Sequence, residues 1–408
     1  MKRLVASLVV ISGLLASGLA SAQENPDDFR SFTRPAPKPD VIQPTPVQPG
    51  PQPTTPVPTE KPKTWDLAPF GYLRAGLDYT LKDDRYSFIG RNNGFVLDSA
   101  RVGLDGHAAD FWHLAFRISI EGASDELANP NTPIGNLSVR LRDAFARWDP
   151  IPYIGVQVGQ FKAPFQEEEL RGTNTLLFAS RAVGVEGVGP GRGFQTPGIQ
   201  LDRQVGAMLS PSQPIGGAAV AASYYLMVMN GNGANQLLDD NGHFGVVGRT
   251  ELGIYDYVRI GAGVFHNDRT VGEPPNLYNE SDTGLTGDLS LKVAGLQAMA
   301  AVTHVRTVFP TVGVSARVQL AFQAQAGYKF EFDNWHIGPA YRFAYFHPWQ
   351  SGGADGFDAF RLQYHTVGIR TGLTKLPLQA WLNYTLTGEG EGRKLDNDRI
   401  EFMGQVTF

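Results

Sequence analysis

Residues 317–332 read RVQLAFQAQAGYKFEF. Val318, Leu320, Phe322, Ala324, Ala326, Tyr328, Phe330 and Phe332 alternate with Arg317, Gln319, Gln323, Gln325, Lys329 and Glu331. Successive side chains of a β-strand point to opposite faces, so this stretch has one apolar face and one wet face. The run is longer than the about five or six residues of an average strand in a soluble sheet. It reaches the length of about 9–11 residues that a tilted membrane-spanning strand requires. The same alternation marks 112–121, 376–387 and 399–408.

Working outward, such runs give sixteen candidate strands, at 69–79, 95–105, 111–121, 138–148, 152–161, 195–209, 217–229, 243–253, 257–266, 284–293, 295–306, 316–332, 334–346, 357–372, 376–387 and 397–408. Phase breaks at 143–148 and 366–370, where bulges or errors in the assigned register are expected. The connections alternate between long (80–94, 122–137, 162–194, 230–242, 267–283, 307–315, 347–356, 388–396) and short (106–110, 149–151, 210–216, 254–256, near 294, near 333, 373–375). Alternating long external loops and short periplasmic turns are a property of outer-membrane barrels. Aromatic residues mark the short-turn ends: Phe111, Trp112, Trp148, Tyr153, Tyr255, Tyr257, Phe332, Trp335 and the terminal Phe408. They suit a girdle at one membrane interface. The fold class expected is all-β: a closed antiparallel transmembrane β-barrel of about 16 strands, because unpaired backbone groups in hydrocarbon force a sheet to close. That many strands enclose more space than side chains fill, which implies an aqueous lumen.

Cations on the lipid face near the midplane cost roughly 2–4 kcal/mol, so the polar phase must face inward. The inward basic candidates are Arg74, Arg101, Arg117, Arg140, Arg142, Arg249, Arg259, Arg317, Lys329, Arg342, Arg361 and Arg399. Inward acids are fewer: Asp78, Asp105, Glu121, Asp202, Glu251, Glu331 and Glu401. A basic lumen within a chain of net charge −5 favours passing anions. The alternative is that these arginines pair with the acids and stiffen the wall.

The amino terminus accounts for export. Lys2 and Arg3 precede the apolar run Leu4 to Leu19, and Ala20-Ser21-Ala22 offers a cleavage site, so residues 1–22 read as a secretory signal peptide. Residues 23–64 form a Pro-rich linker with eleven prolines between Pro35 and Pro62, extended and polyproline-like, and 65–408 the barrel. The linker reads as a periplasmic spacer or as a contact to the cell wall. The absence of cysteine excludes a disulfide framework and an N-terminal lipid anchor. The near balance of charge speaks against nucleic acid as a partner, and a mean hydropathy of −0.20 is what a wet-lumen barrel gives.

FGYLRAGLDY (70–79), ARVGLDGHAADFWHLAFRIS (100–119), VRLRDAFARW (139–148) and VGQFKAPFQEEEL (158–170), followed more loosely by RAVGVEG and GFQTPGIQLD, resemble the phosphate-selective porin O and P family over about residues 69–210. The resemblance implies a sixteen-stranded homotrimeric outer-membrane channel with an inward third loop, passing small hydrophilic solutes, anionic ones among them. It equates Lys162 with the lysine of the GQFK motif, in a family whose phosphate-selective members use lumen arginines and lysines. The third long connection, 162–194, would then be the constriction. Lys162, Glu167, Glu168, Glu169, Arg171, Arg181 and Arg192 are its expected charges. A cap over the mouth or a subunit contact is the other place for this loop. Phe408 at the carboxyl end matches the signal read by the barrel-assembly machinery. Outer-membrane lipid and lipopolysaccharide are the remaining expected partners.

No chemistry competes with this reading. The chain has no CxxC, HExxH, GxSxG or phosphate-binding loop, and its eight histidines are scattered. No enzyme activity, cofactor or metal is therefore expected. The acidic stretches 279–288 and 389–398 read as solvated loops, with calcium or lipopolysaccharide-bridging cations as the alternative. Two other functions stand beside the channel. One is a non-conducting structural barrel tethered through the Pro-rich arm; the other is a secreted soluble β-protein.

Overall fold

A computed structural model describes residues 65–408 apart from 109–112, 126–135, 234, 237, 238, 240, 274, 311–314, 350–360 and 391–393. The expected signal peptide and linker, with Phe111 and Trp112, lie outside the described residues. Sixteen long strands form one antiparallel sheet, each paired with its neighbour in sequence. They are β1 (Asp66–Thr80), β2 (Gly94–His107), β3 (Leu114–Asp125), β4 (Asn136–Ile151), β5 (Ile154–Lys162), β6 (Arg203–Ser210), β7 (Val220–Met229), β8 (Gly245–Ile254), β9 (Val258–Glu273), β10 (Asn276–Val293), β11 (Leu296–Val308), β12 (Arg317–Tyr328), β13 (Trp335–His347), β14 (Leu362–Leu373), β15 (Leu378–Glu389) and β16 (Arg399–Thr407). The sheet closes where β16 returns to β1, from Tyr72↔Thr407 to Thr80↔Arg399. Closure leaves no edge with unpaired backbone groups, the condition for a sheet in hydrocarbon.

The two phases of each strand separate as expected. In β12, Gln319, Ala321, Gln323 and Gln325 are buried inside, whereas Phe322 and Tyr328 are exposed on the outside. Leu226, Val264, Leu285, Val302, Val367, Leu382 and Phe402 continue the exposed apolar belt around the barrel. Trp148, Tyr153, Tyr255, Tyr257, Phe332, Trp335 and Phe408 are all exposed at the short-turn end, and Phe332 stacks on Trp335 with ring centroids 4.4 Å apart.

Two bulges set the charges of the inner wall. Between β3 and β4 the register passes from Ile118↔Ala144 to Ile120↔Leu141, so Arg142 and Asp143 together oppose Ser119. The apolar phase of β4 changes parity there, from Leu137, Val139 and Leu141 to Ala144, Ala146 and Trp148. The extra residue lets two consecutive charged side chains enter the lumen. Between β1 and β2 the partner of Arg74 is Ser99 and that of Ala75 is Leu97, which leaves Asp98 as the extra residue. Gly159 (φ +131°) faces the first bulge; a Cβ there would lie 2.2 Å from the Ala144 carbonyl oxygen, so the position requires glycine.

Some expectations are corrected. No bulge occurs at 366–370, where β14 keeps register with both neighbours. The connection expected at 267–283 is a continuation of β9 and β10, which stay paired from Val258↔Leu291 to Glu273↔Asn276. A ribbon beyond the membrane has water on both sides, so it lacks the alternation that signals a strand. The acidic stretch 279–288 is therefore strand, with Glu280, Asp282 and Asp288 facing inward and paired to arginines. Residues 195–202 belong to a loop, and β6 begins only at Arg203.

Candidate functional site

The segment 163–202, between β5 and β6, turns into the barrel and packs against the inner wall. It carries the short helices α1 (Glu167–Leu170) and α2 (Val183–Glu186), a 3-10 turn at Thr173–Thr175, and a two-residue ladder of Gly187–Val188 with Thr196–Pro197. Its contacts extend around the interior. Phe165 meets Phe265 of β9 edge to face at 4.8 Å. Trp381 of β15 donates to the Leu176 carbonyl at 3.2 Å. Arg342 of β13 donates to the Ser180 carbonyl at 2.8 Å and lies 4.6 Å from the Phe178 ring. Arg74 of β1 donates to the carbonyls of Thr173 and Ala179. The loop thus crosses the lumen and is held on the far side.

The three consecutive glutamates pin it in three directions, and all are buried. Glu167 contacts Arg171 at 3.1 Å and Arg249 of β8 at 3.5 Å. Glu168 lies 3.6 Å from Arg342 and accepts from the Ala182 N–H. Glu169 accepts from the Asp202 N–H at the other end of the segment. Burial, and then the Asp202 carboxylate beside it, push the Glu169 carboxyl up to about 7. An unfolded Glu titrates near about 4.3. The docked segment therefore binds this proton more tightly than a free one, and docking weakens as pH rises between those values.

Of the residues expected at a constriction, Lys162, Glu167, Glu168 and Glu169 serve as buried anchors. Lys162 donates to the Arg171 carbonyl at 3.0 Å. Sequence could place this acidic run in the lumen but could not show that buried arginines of the wall would claim it. Arg101, Arg117 and Arg342 are buried as well. Arg101 pairs with Asp143, and Arg117 with Asp105 at 2.7 Å. Arg399 bridges Asp78 at 2.6 Å and Glu401 at 3.0 Å. Arg317 reaches the Thr307 hydroxyl at 3.3 Å. Arg361 is half-buried just ahead of β14, and Arg140 is exposed at the long-loop end of β4. Arg259 is 46% exposed at the short-turn end, 4.0 Å from Glu167. Lys329 lies beyond the end of β12, exposed and paired with Glu331 at 2.6 Å, so it belongs to the rim and not to the wall. Arg147, Arg203 and Asp143 were missed by the inward reading. Arg203 Nε donates to Asp143 at 2.8 Å, and Arg147 pairs with Asp149 at 2.8 Å. The change of parity at the bulge hid Asp143 and Arg147, and Arg203 was hidden by the strand expected at 195–209 with Asp202 facing inward, where the strand begins only at Arg203.

The remaining charges are inside the barrel yet reached by solvent. A cavity between the loop and β13–β16 is lined by Arg181, Arg192, Arg342, Arg399, Glu186 and Asn397, among others. Arg192 pairs with Glu186 at 2.9 Å. Arg181 is different. Its guanidinium donates to the Arg171 carbonyl at 2.6 Å and the Thr173 hydroxyl at 3.3 Å, with no carboxylate partner among the described residues. On the other side of the loop, the partly exposed Asp98, Arg142 and Asp202 line the wall.

A closed sixteen-strand barrel with a charged loop folded across its lumen is a porin-type fold. Residues 71–236 match the model of the phosphate-selective porin O and P family. The family and the fold are those of outer-membrane channels and point to a channel rather than an enzyme. An anion-selective porin from Comamonas acidovorans superposes with a TM-score of 0.56 at 13% identity, over 84% of this chain and 100% of that one. The outer-membrane channel DcaP of Acinetobacter baumannii gives 0.55 at 14%, over 84% and 97%. OmpT of Vibrio cholerae, in a trimer form, gives 0.51 at 10%, over 85% and 100%. At these identities the likeness concerns the fold alone. No curated protein matches the sequence.

Proposed function

We propose that the chain forms a water-filled outer-membrane channel for passive diffusion of small hydrophilic solutes, with a preference for anions. The observation that carries the preference is the cavity beside the loop, whose lining holds four arginines and one carboxylate, Glu186. Arg181 matters most because its guanidinium pairs directly with no carboxylate among the described residues. In a narrow passage with low-dielectric walls such an excess focuses a positive potential. Of the four arginines, Arg399 is matched by Asp78 and Glu401, Arg342 by Glu168 and Arg192 by Glu186, and elsewhere in the lumen Arg101 and Arg117 are matched by Asp143 and Asp105, which keeps the preference weak. Arg181→Gln should move the reversal potential in a potassium chloride gradient toward zero while leaving conductance similar. An unchanged reversal potential would remove Arg181 from the account.

The family match and the trimeric form of one structural relative support a homotrimer. Residues 1–22 are taken as the export signal and 23–64 as the periplasmic spacer. Phe408, hydrogen-bonded to Gly71 through its main chain, is taken as the mark read by the assembly machinery. Sequencing the amino terminus of the membrane-inserted protein should find Gln23 first; retention of Met1 would refute cleavage there.

A further inference from the structure

The outer face of β9–β11 carries Arg306, His304 and His266 close together at one end. Rows across these strands, read upward from the short turns, are Val258–Leu291–Ala298, Ile260–Leu289–Ala300, Ala262–Gly287–Val302 and Val264–Leu285–His304. The next row is His266–Thr283–Arg306. The surface thus passes from wholly apolar to basic within two rows, at the end where the long connections lie. Val258 to His266 is nine residues, the short end of the about 9–11 that a membrane strand needs, which puts the basic row at the external border of the hydrocarbon.

Arg306 is the only arginine of the described strands on the outward phase. It is exposed, and neither its side chain nor that of His304 has a hydrogen bond or ion pair among the described residues. His266 is 50% exposed, with its Nδ1 3.0 Å from the Thr283 hydroxyl and its Nε2 3.8 Å from Asp268. The β9–β10 ribbon stands above this row, and its inward side is stiffened by Arg269 with Glu280 at 2.9 Å. An arginine on this phase is costly in hydrocarbon, and the cost falls away at the interface. An anionic headgroup there supplies the missing partner.

We propose that Arg306, His304, His266 and Thr283 form a docking site for a phosphorylated lipid headgroup of the external leaflet. A phosphate would accept from Arg306 at one end of the row and from His266 at the other, with acyl chains lying along Leu285, Gly287 and Ala300. The proposal depends on which end of the barrel faces outward and not on what the channel conducts.

Native mass spectrometry of the detergent-solubilised chain, titrated with bis-phosphorylated lipid A and with the same lipid lacking both phosphates, tests it. The phosphorylated form should bind about tenfold tighter. Arg306→Gln with His304→Gln should abolish that difference and leave single-channel conductance unchanged. Equal binding of the two lipids to the natural chain, or full retention by the double variant, would overturn the proposal. So would displacement of the lipid by millimolar inorganic phosphate, which would assign the site to the free ion.

Discussion

Excising residues 172–198 and rejoining the chain through a short Gly-Ser turn should raise single-channel conductance by at least about twofold and flatten ion selectivity. The segment removed carries Arg181, Glu186 and Arg192 and the contacts to Arg74, Trp381 and Arg342. The clamp formed by Glu167, Glu168 and Glu169 stays. One cut end, Ile199, accepts from Gln166, which lies one short helix before the other cut end at Arg171, so a short turn can rejoin the chain. The sixteen strands pair with one another without using this segment, so the barrel should still insert and resist detergent unfolding. Unchanged conductance in a folded variant would mean that the loop does not limit the passage.

Arg249→Ala should cost about 3–5 kcal/mol of stability, because it leaves several buried carboxylates without their cation. Arg249 contacts Asp288 at 2.7 Å, Glu251 at 2.8 Å and Glu167 at 3.5 Å, and all four side chains are buried. The same guanidinium donates to the Phe165 carbonyl at 2.8 Å, so its loss also frees the start of the loop. Urea unfolding in lipid vesicles gives the number. Arg259→Ala is the matched control. Its side chain is 46% exposed and its carboxylates lie at 4.0 Å, so its effect should stay within about 0.5 kcal/mol. A loss below about 1 kcal/mol for Arg249→Ala would show that water already solvates the carboxylates.

The wall was legible in the sequence because lipid enforces a period of two along every spanning strand. Val318 to Tyr328 could not read otherwise. Where lipid is absent the signal fails, and the ribbon of β9 and β10 above the membrane was read as a loop for that reason. The inward reading of Arg74, Arg249 and Arg399 followed from phase alone. Their partners did not, since the contacts of Arg249 with Glu167 and of Arg74 with Ala179 join residues far apart in the chain. The loop announced itself by length and charge. Which of its charges face water depended on packing: Glu168 meets Arg342 and is buried, while Arg181 meets a carbonyl and a hydroxyl and stays half-exposed.

The direct test of the channel is recording from the purified chain in planar bilayers under a potassium chloride gradient. The account expects discrete, long-lived conductance steps whose reversal potential has the sign of chloride preference. A folded, inserted barrel that passes no current, or one whose reversal potential has the sign of potassium preference, would contradict it.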